Sequence, residues 1–115
     1  MAADCIFCKI AAGAIPATRL HTNERLVAFR DANPQAPTHI LVIPKEHIAT
    51  LNEANAGHAA LLGEMLLLAR DLAQQEGLAD RGFRTLFNTN REAGQTVFHI
   101  HLHLLGGRAL GWPPG

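Results

Sequence analysis

The sequence lacks a charge imbalance and long apolar runs. Ten Lys and Arg residues balance ten Asp and Glu residues in a chain of 115, so the formal net charge is zero at pH 7. Without a basic excess there is no overall field that attracts nucleic acid or an anionic membrane, so any anion must be bound by local groups. No apolar run reaches the roughly 18 residues that a membrane-spanning helix needs. We therefore expect neither a nucleic-acid partner nor a membrane partner.

Cysteine is scarce, with only Cys5 and Cys8 in the chain. The first ten residues hold an acid and both cysteines but no uninterrupted apolar stretch, so no signal peptide is visible and we expect a cytoplasmic protein. In such a reducing compartment a Cys-x-x-Cys pair indicates metal or redox chemistry rather than a structural disulfide. A thioredoxin-like pair would follow a strand of a βαβ unit, which the sequence does not predict, so zinc is favoured over a redox pair or two unmodified thiols. His47 and a histidine near the C-terminus are candidates for the remaining ligands.

The apolar pattern predicts a single α+β domain over residues 1–115, without repeats, low-complexity tracts or long linkers. Short apolar runs bounded by Gly, Pro and Asn indicate five strands, and a period of 3.6 residues indicates one long helix. The predicted elements are a short helix over 6–12, strands over 18–21, 26–31, 39–44, 82–88 and 97–105, and the long helix over about 58–76. Strands on both sides of the helix in sequence, joined by short loops, favour an antiparallel sheet with the helix on one face.

The long helix has predicted start and stop features. Thr50 and Glu53 fit a capping box ahead of an irregular lead-in, and Gly77 followed by Leu78 fits a helix C-terminus. The predicted apolar stripe consists of Leu61, Met65, Leu68 and Leu72, with Leu62, Leu66, Ala69 and Ala73 beside it. Leu67 widens this band, so one edge of the helix either meets another subunit or the helix simply lies across the sheet.

Three histidines occupy every second position near the C-terminus: His99, His101 and His103. Because side chains of an extended strand alternate between its faces, the three imidazoles are predicted to point the same way, with neighbours roughly 6.5–7 Å apart. The apolar residues between them, Ile100, Leu102 and Leu104, then point into the core. One imidazole can therefore react while its neighbours hold it, bind a metal or touch the same ligand.

This spacing is compatible with several kinds of chemistry. A neutral imidazole is a good nucleophile towards phosphorus and a good general base near pH 7, and a backbone carbonyl at one ring nitrogen would fix its tautomer. Catalysis, metal binding and a polar sheet face all remain open on spacing alone. The loop Gly94-Gln95-Thr96, with Asn88 at the end of the preceding strand, offers N–H, amide and hydroxyl groups that could cradle a phosphate, although a plain turn would also use Gly.

The chain closely resembles the histidine-triad (HIT) superfamily of nucleotide-binding hydrolases. The family signature, His-x-His-x-His followed by apolar residues, matches residues 99–105. Other segments that resemble the family are Cys5-Ile6-Phe7-Cys8-Lys9-Ile10, Gly13-Ala14-Ile15-Pro16-Ala17, Ala28-Phe29-Arg30-Asp31, Pro34-Gln35-Ala36-Pro37-Thr38-His39, Val42-Ile43-Pro44-Lys45-Glu46-His47-Ile48, Ala93-Gly94-Gln95-Thr96-Val97 and Leu105-Gly106-Gly107-Arg108. The C-terminal Gly111-Trp112-Pro113-Pro114-Gly115 resembles the tail of the HINT branch, the purine nucleoside phosphoramidases. The resemblance covers nearly the whole chain, and the combination of motifs is highly specific.

The resemblance implies an α+β fold with a five-stranded antiparallel sheet, one long helix and a short N-terminal helix. It implies a homodimer in which two sheets pair across a two-fold axis into one sheet of ten strands. The implied activity is hydrolysis of purine nucleoside 5′-phosphoramidates, such as adenosine 5′-monophosphoramidate or AMP linked to lysine or another amine. Purine nucleotides such as AMP and GMP are the implied ligands, and no cofactor is required for catalysis.

The family pattern also implies a role for each matching residue. His101 is the nucleophile that attacks the α-phosphorus, expels the amine and forms a nucleotidyl-histidine that water then hydrolyses. The His99 carbonyl orients the His101 ring, His103 contacts the phosphate, and His39, structural on position alone, supports the triad. The implied nucleotide-binding residues are Asp31 at the ribose with Ala32 next to it, Ile6 and Phe29 beside the base, Asn88, Gly94, Gln95 and Thr96 at the phosphate or leaving group, and Trp112, from this or the other subunit, on the leaving-group side.

In family members with the Cys-x-x-Cys pair, the resemblance implies a zinc ion on four residues, here Cys5, Cys8, His47 and His99. Some HINT members lack the cysteines and are still enzymes, so such a zinc ion would be structural and His101 would stay free of metal. The alternatives are a dinucleoside polyphosphate hydrolase of the same superfamily, a nucleotide- or partner-binding scaffold with weak catalysis, and a zinc storage or sensing protein. The tail around Trp112 argues against the first, and the intact histidine triad weighs against the second.

Overall fold

An antiparallel sheet of five strands is the central element of the structure, a computed structural model that describes residues 4–115. The strands are β1 (Arg19–Thr22), β2 (Leu26–Arg30), β3 (Thr38–Pro44), β4 (Phe83–Leu86) and β5 (Leu102–Gly106), in the spatial order β1-β2-β3-β5-β4. All seven residues of β3 are buried, because this strand lies in the middle of the sheet and is covered on both faces. The sheet and its antiparallel pairing agree with the sequence prediction.

The long helix, α2 (Ala59–Gln75), covers one face of the sheet. Its buried side chains are Leu61, Met65, Ala69, Leu72 and Ala73, which pack against Leu26, Ala28, Ile40, Val42, Ile100, Leu102 and Leu104. The predicted stripe is corrected at two positions, since Leu68 is only partly buried and Leu66 is 47% exposed. Small Ala69 and Ala73 occupy the buried face instead, and they let the helix approach the sheet closely.

The ends of α2 follow the predicted signals. Thr50 and Glu53 form a capping box, but it begins a short 3₁₀ turn (Leu51–Glu53), and a second such turn (Ala56–His58) leads into α2. At the other end Gly77 has a φ of +75°, and the Leu78 N–H donates to the Ala73 carbonyl at 2.8 Å. This is the Schellman arrangement, and it turns Leu78 back into the core.

The short helix α1 (Ile6–Ala11) covers part of the opposite face. Phe7 and Ile10 pack there against Val27, Phe29, Leu41 and Ile43, which are the side chains of β2 and β3 that face away from α2. A helix of six residues is too short to be stable alone, so α1 depends on these contacts and on its N-cap Cys5. Among the helices of residues 4–115, none has the length and apolar character to cross a bilayer.

The fifth strand is shorter than predicted. It was expected over 97–105, but the β5 ladder with β3 runs only from Leu102 to Gly106. The residues before Leu102 do not pair with β3. Instead, the Ile100 N–H donates to the Ile48 carbonyl at 2.7 Å. His99 and His101 therefore precede the strand, and only His103 lies within it. β4 is shorter in the same way, at Phe83–Leu86 rather than 82–88.

Candidate active site

The alternation of the histidine segment is kept although its first half is not a strand. Ile100, Leu102 and Leu104 pack beneath α2, as expected. The rings of His99 and His101 lie on the other side, in edge-to-face contact with Phe7 of α1 at centroid distances of 6.0 Å and 5.0 Å. The rings of His101 and His103 are 4.9 Å apart, closer than the backbone spacing alone predicts. The three imidazoles thus form a compact group between the sheet and α1.

The central imidazole, His101, has a fixed tautomer. Its Nδ1 lies 2.8 Å from the carbonyl oxygen of His99, and because a carbonyl can only accept, Nδ1 carries the proton. The lone pair is therefore on Nε2. Burial lowers the pKa of His101, although the His99 carbonyl and the charge of Asp31 partly oppose this effect. At pH 7 the ring is neutral and has an unprotonated nitrogen, which is the form that a nucleophile needs.

A second histidine pair stands beside His101. The Gln35 N–H donates to Nδ1 of His39 at 3.0 Å, so neutral His39 carries its proton on Nε2. That nitrogen lies 2.9 Å from Nδ1 of His103 and 3.3 Å from Oδ2 of Asp31. His39 can donate to Nδ1 of His103, which leaves the His103 proton on Nε2. The position of His39 at the start of a strand had by itself suggested a structural role. The structure shows that it is a hydrogen-bonding neighbour of the triad.

The Nε2 atom of His103 is buried and finds no hydrogen-bond partner among residues 4–115. Burial above all, and then the neighbouring His101 and His39, lower the pKa of His103 to about 4, so its ring is neutral at pH 7. A buried N–H without a partner destabilises the folded protein unless a ligand accepts its hydrogen bond. This donor is the clearest indication in the structure of where an anionic ligand would place an oxygen.

A cleft of about 810 Å³ opens beside these groups. One wall is apolar and consists mainly of Ile6, Phe7, Ile10, Ile15, Phe29 and Leu41. The other end is polar and carries Asp31, His39, Gly94, Thr96, His101 and His103. A cavity of this size, apolar on one side with a few converging polar groups on the other, suits a small ligand with a flat apolar part and an anionic part.

The cleft brings together most of the residues expected at a nucleotide. Those that line it are Ile6, Phe29, Asp31, Ala32, His39, Gly94, Thr96, His101 and His103. His99 contributes its carbonyl, whereas its ring is fully buried behind the cleft. Phe7, Ile10 and Leu41 also line the cleft but were not among the binding residues predicted from the sequence. The apolar spacing of Phe7 and Ile10 on a short helix could have indicated the first two.

Three expected nucleotide-binding residues do not line the cleft. Gln95 is 6% exposed, and its amide serves the backbone: Oε1 accepts from the Asn90 N–H at 2.9 Å, and Nε2 donates to the Ala49 and Val97 carbonyls. Its side chain thus holds the loop rather than facing a ligand. Asn88 lies just after β4, outside the cleft lining, and Trp112 is 83% exposed on the tail, also outside it. The loop's own hydrogen bonds and the position of the tail are not visible in local sequence.

Four side chains that could hold a metal converge behind the triad: Cys5, Cys8, His47 and His99, whose ligand atoms all lie within 4.8 Å of one another. Nδ1 of His99 lies 3.4 Å from Sγ of Cys5 and 3.3 Å from Nδ1 of His47, and Sγ of Cys8 lies 3.3 Å from Nδ1 of His47. Ligands of a tetrahedral zinc ion stand roughly 3.3–3.8 Å apart, given its usual bond lengths. The donor set and its spacing therefore fit a structural zinc ion.

The tautomers separate this cluster from a second group of metal-ligating side chains, Asp31, His39 and His103. Nε2 of His99 lies 2.7 Å from the Pro44 carbonyl and carries the proton, so Nδ1 presents its lone pair to the cysteines. In the second group the Gln35 N–H occupies the lone pair of His39 Nδ1 and leaves a proton on the nitrogen that faces the other ligands. Cys5, Cys8, His47 and His99 are thus suited to zinc, whereas the second group is arranged for hydrogen bonds.

Comparison with known proteins places these features in a family. Residues 4–110 match the family model described as "Scavenger mRNA decapping enzyme C-term binding". The purine nucleoside phosphoramidase of Escherichia coli K12 is 50% identical over 111 residues, which are 96% of this chain and 93% of that protein. The 14 kDa zinc-binding protein of Zea mays is 49% identical over 112 residues, 96% of this chain and 87% of that protein.

A solved structure agrees with these sequence matches. The HIT family hydrolase from Legionella pneumophila Philadelphia 1 superposes with a TM-score of 0.96 at 56% identity, covering 97% of this chain and 100% of that one. The family model covers most of the chain, and relatives about half identical align over nearly all of it. The protein belongs to the histidine-triad (HIT) superfamily of hydrolases, in its HINT branch.

Proposed function

We propose that this protein hydrolyses the P–N bond of purine nucleoside 5′-phosphoramidates through a covalent intermediate on His101. The observation that carries the proposal is the His101 Nδ1–H bond to the His99 carbonyl, 2.8 Å, which leaves an unprotonated Nε2 in a ring that lines the cleft. The phosphoramidase activity named for the Escherichia coli relative, 50% identical, supports the choice of substrate class. A single domain over residues 1–115 would carry the whole activity.

The proposed reaction has two displacements at one phosphorus. Nε2 of His101 attacks the α-phosphorus, the P–N bond to the amine breaks, and the amine leaves with a proton taken from solvent. Water then attacks the phosphorus and gives up a proton to solvent, the bond to Nε2 breaks, and the nucleoside monophosphate is released. In both steps the Nε2–H of His103 would donate to a phosphate oxygen, with the Gly94 backbone and the Thr96 hydroxyl at the same end of the cleft.

The rest of the nucleotide fits the remaining lining of the cleft. Asp31 offers two acceptor oxygens at the polar end, which suit the two ribose hydroxyls. Ile6 and Phe29 would flank the purine, with Ala32 next to Asp31. Ile6 and Phe29 would contact the flat faces of the base, which adenine and guanine share, so AMP and GMP derivatives are both proposed as ligands. The chemistry of His101 draws on no cofactor.

A zinc ion on Cys5, Cys8, His47 and His99 would have a structural role. When bound, it would link three parts of the chain: α1, the segment after β3 that contains His47, and His99. The carbonyl of His99 is the group that orients His101. It would lie behind the cleft, since the His99 ring is fully buried and does not line it. A reducing cytoplasm, which we propose as the location, would keep both thiols available as ligands.

We further propose that the protein is a homodimer with a continuous ten-stranded sheet. The edge strand β4 carries Phe83, 38% exposed, whereas the other edge, β1, is mostly polar, so β4 is the better candidate for pairing. On the adjoining helix Leu66 and Leu67 are 47% and 52% exposed. A second copy could also bring its tail to this cleft, which is how Trp112 would reach a leaving group.

The experiment that tests the proposed function is a comparison of the wild type with His101→Ala, on AMP joined to a fluorescent amine. We expect turnover to fall by at least about 10³-fold, because the nucleophile is lost, with an unchanged fold by circular dichroism. His21→Ala removes an exposed histidine that does not line the cleft and serves as the control. Turnover of His101→Ala at the wild-type rate would contradict the proposal, and faster cleavage of a diadenosine polyphosphate than of AMP-amine would favour the alternative hydrolase.

A further inference from the structure

One proton in the site faces two acceptors. His39 is 5% exposed, and the Gln35 N–H holds its Nδ1, so the only proton of the neutral ring is on Nε2. That N–H has Nδ1 of His103 at 2.9 Å and a carboxylate oxygen of Asp31 at 3.3 Å. A carboxylate is the stronger acceptor and the imidazole nitrogen is the nearer one, so the two compete for a single hydrogen bond.

The outcome of this competition matters for the phosphate contact. When His39 donates to Nδ1 of His103, it draws electron density through the ring and makes the Nε2–H a stronger donor, because hydrogen bonds in a chain polarise one another. That Nε2–H is the buried donor without a partner among residues 4–115. When the His39 N–H donates to Asp31 instead, His103 loses this hydrogen bond and its Nε2–H is no longer polarised by His39. The acceptor strength of Asp31 therefore sets the donor strength of His103.

We propose that His39 is a positioning residue that couples ribose recognition at Asp31 to the phosphate contact of His103. The inference rests on the proposed function, because it takes Asp31 as the residue that binds the ribose hydroxyls. Hydroxyls that donate to the Asp31 carboxylate reduce its pull on the His39 proton, and the proton then serves His103. A ribonucleotide thereby strengthens the group that stabilises its own reacting phosphate. The protein should discriminate against deoxyribose in the chemical step and not only in binding.

The structure offers a matched pair of substitutions at this position. In His39→Gln the amide nitrogen lies near the place of Nε2 and has two protons, so it can serve Asp31 and His103 at once and the competition ends. In His39→Asn the shorter amide corresponds to Nδ1 and reaches neither acceptor. A role of His39 in folding alone would affect ribose and dideoxyribose substrates equally in both variants. Only a shared proton makes the glutamine variant lose the difference between the two substrates.

The kinetic test measures the first-turnover rate constant and KM for an AMP-amine phosphoramidate and its 2′,3′-dideoxy counterpart. In the wild type we expect the dideoxy substrate to lose about tenfold in rate constant, within the usual range of couplings between sites, as well as a rise in KM. In His39→Gln the ratio of the rate constants should fall towards one while the KM difference stays. In His39→Asn both substrates should slow by a similar factor. A wild-type ratio of one, or a wild-type ratio kept in His39→Gln, would overturn the coupling.

A spectroscopic test needs no hydrolysis. With ¹⁵N-labelled histidine in the wild-type protein, adenosine should move the His103 Nδ1 resonance towards that of a more strongly hydrogen-bonded nitrogen, and 2′,3′-dideoxyadenosine should not. Equal responses to the two nucleosides would overturn the coupling even if phosphoramidates are cleaved. If no phosphoramidate is cleaved, the proposed function fails, while the different response to the two nucleosides would still support the shared proton.

Discussion

At the scale of single residues, hydrogen-bond acceptors decide which nitrogen each buried histidine offers. The His99 carbonyl accepts a hydrogen bond from Nδ1–H of His101, and the Pro44 carbonyl accepts one from Nε2–H of His99. The Gln35 N–H donates to Nδ1 of His39. The backbone thus assigns one ring a nucleophilic nitrogen, one a metal-binding nitrogen and one a donor. Identical side chains acquire different chemistry because their neighbours differ.

The first prediction at this scale concerns pH and stability. His103 has a folded-state pKa of about 4, lowered by burial and by His101 and His39, with Asp31 acting in the opposite direction. The unfolded chain takes up this proton near pH 6.5, so it binds more protons than the folded chain between pH 6.5 and 4. The free energy of unfolding should therefore fall as the pH falls through this window, by about 3 kcal/mol from this group, and level off below it.

Urea unfolding of the wild type and His103→Asn at several pH values between 7.5 and 4 measures this effect. Asparagine does not titrate, so the variant should lose less stability on acidification than the wild type, although His39, whose pKa burial also lowers, still contributes. Parallel stability curves for the two proteins would show that His103 is not held neutral by the fold.

At the scale of elements, the two helices differ in what holds them. α2 has apolar periodicity, caps and 17 residues, whereas α1 has six residues and depends on Phe7, Ile10 and the cysteine pair. α1 carries a wall of the cleft, and α1 and its N-cap together supply two of the four metal-binding side chains, Cys8 and Cys5. A zinc ion at this cluster would thus fix the position of the cleft wall without touching the ligand.

The prediction for α1 concerns metal removal. Cys8→Ala should reduce zinc from one ion per chain to almost none and lower the free energy of unfolding by at least about 2 kcal/mol, because a buried ligand and the metal link are both lost. Turnover should fall far less than in His101→Ala. Metal analysis and urea unfolding check this result, with His21→Ala as the control that leaves the cluster intact. Full zinc content in Cys8→Ala would show that the ion binds at another site.

The sequence predicted the elements better than their ends. The period of Leu61, Met65 and Leu72, followed by Gly77, placed α2 to within a residue at either end, because periodicity and caps are local. The start of β5 was predicted five residues too early, at residue 97 instead of Leu102. The reason is that His99 and Ile100 form hydrogen bonds with Pro44 and Ile48, about fifty residues away in the chain. Alternation of apolar residues reports which side is buried, and it does so even where no strand partner exists.

The parts of the site that depend on side-chain type and spacing could be predicted from the sequence. The triad and the Cys-x-x-Cys pair were identified from spacing and family resemblance, and the structure brings Cys5, Cys8, His47 and His99 together. The backbone N–H of Gln35 at His39 could not be predicted, since every residue except proline has such a group. The burial of the Gln95 side chain could not be predicted for the same reason, because its hydrogen-bond partners are backbone groups of other residues, the Asn90 N–H and the Ala49 carbonyl.

At the scale of the whole molecule, the sheet separates structure from chemistry. The face under α2 is filled with apolar side chains, and the face under α1 carries the cleft, the triad and the metal-binding cluster. The period of two along residues 99–104 sends histidines to one side and Ile100, Leu102 and Leu104 to the other. Rigid packing on the first face therefore positions the reacting groups on the second.

The prediction at this scale concerns assembly. We expect the wild type to sediment at twice the 12.4 kDa mass of the chain, because Leu66 and Leu67 are exposed on α2 and would be buried by a second copy. Leu67→Glu places a charge on this face and should shift the mass towards one chain, whereas Gln74→Glu, at an exposed position on the same helix, should not. A Leu67→Glu protein that stays dimeric would exclude Leu67 from the interface.

The most direct measurement of the central claim is the position of the covalent intermediate. The wild type is mixed with an AMP-amine phosphoramidate, denatured at alkaline pH within the first turnover, digested, and sequenced by mass spectrometry. We predict an adenylyl group on the His101 ring, and none in His101→Ala treated in the same way. An adenylyl group on His103 or on any other side chain, or complete turnover with no adduct at any time, would contradict the account.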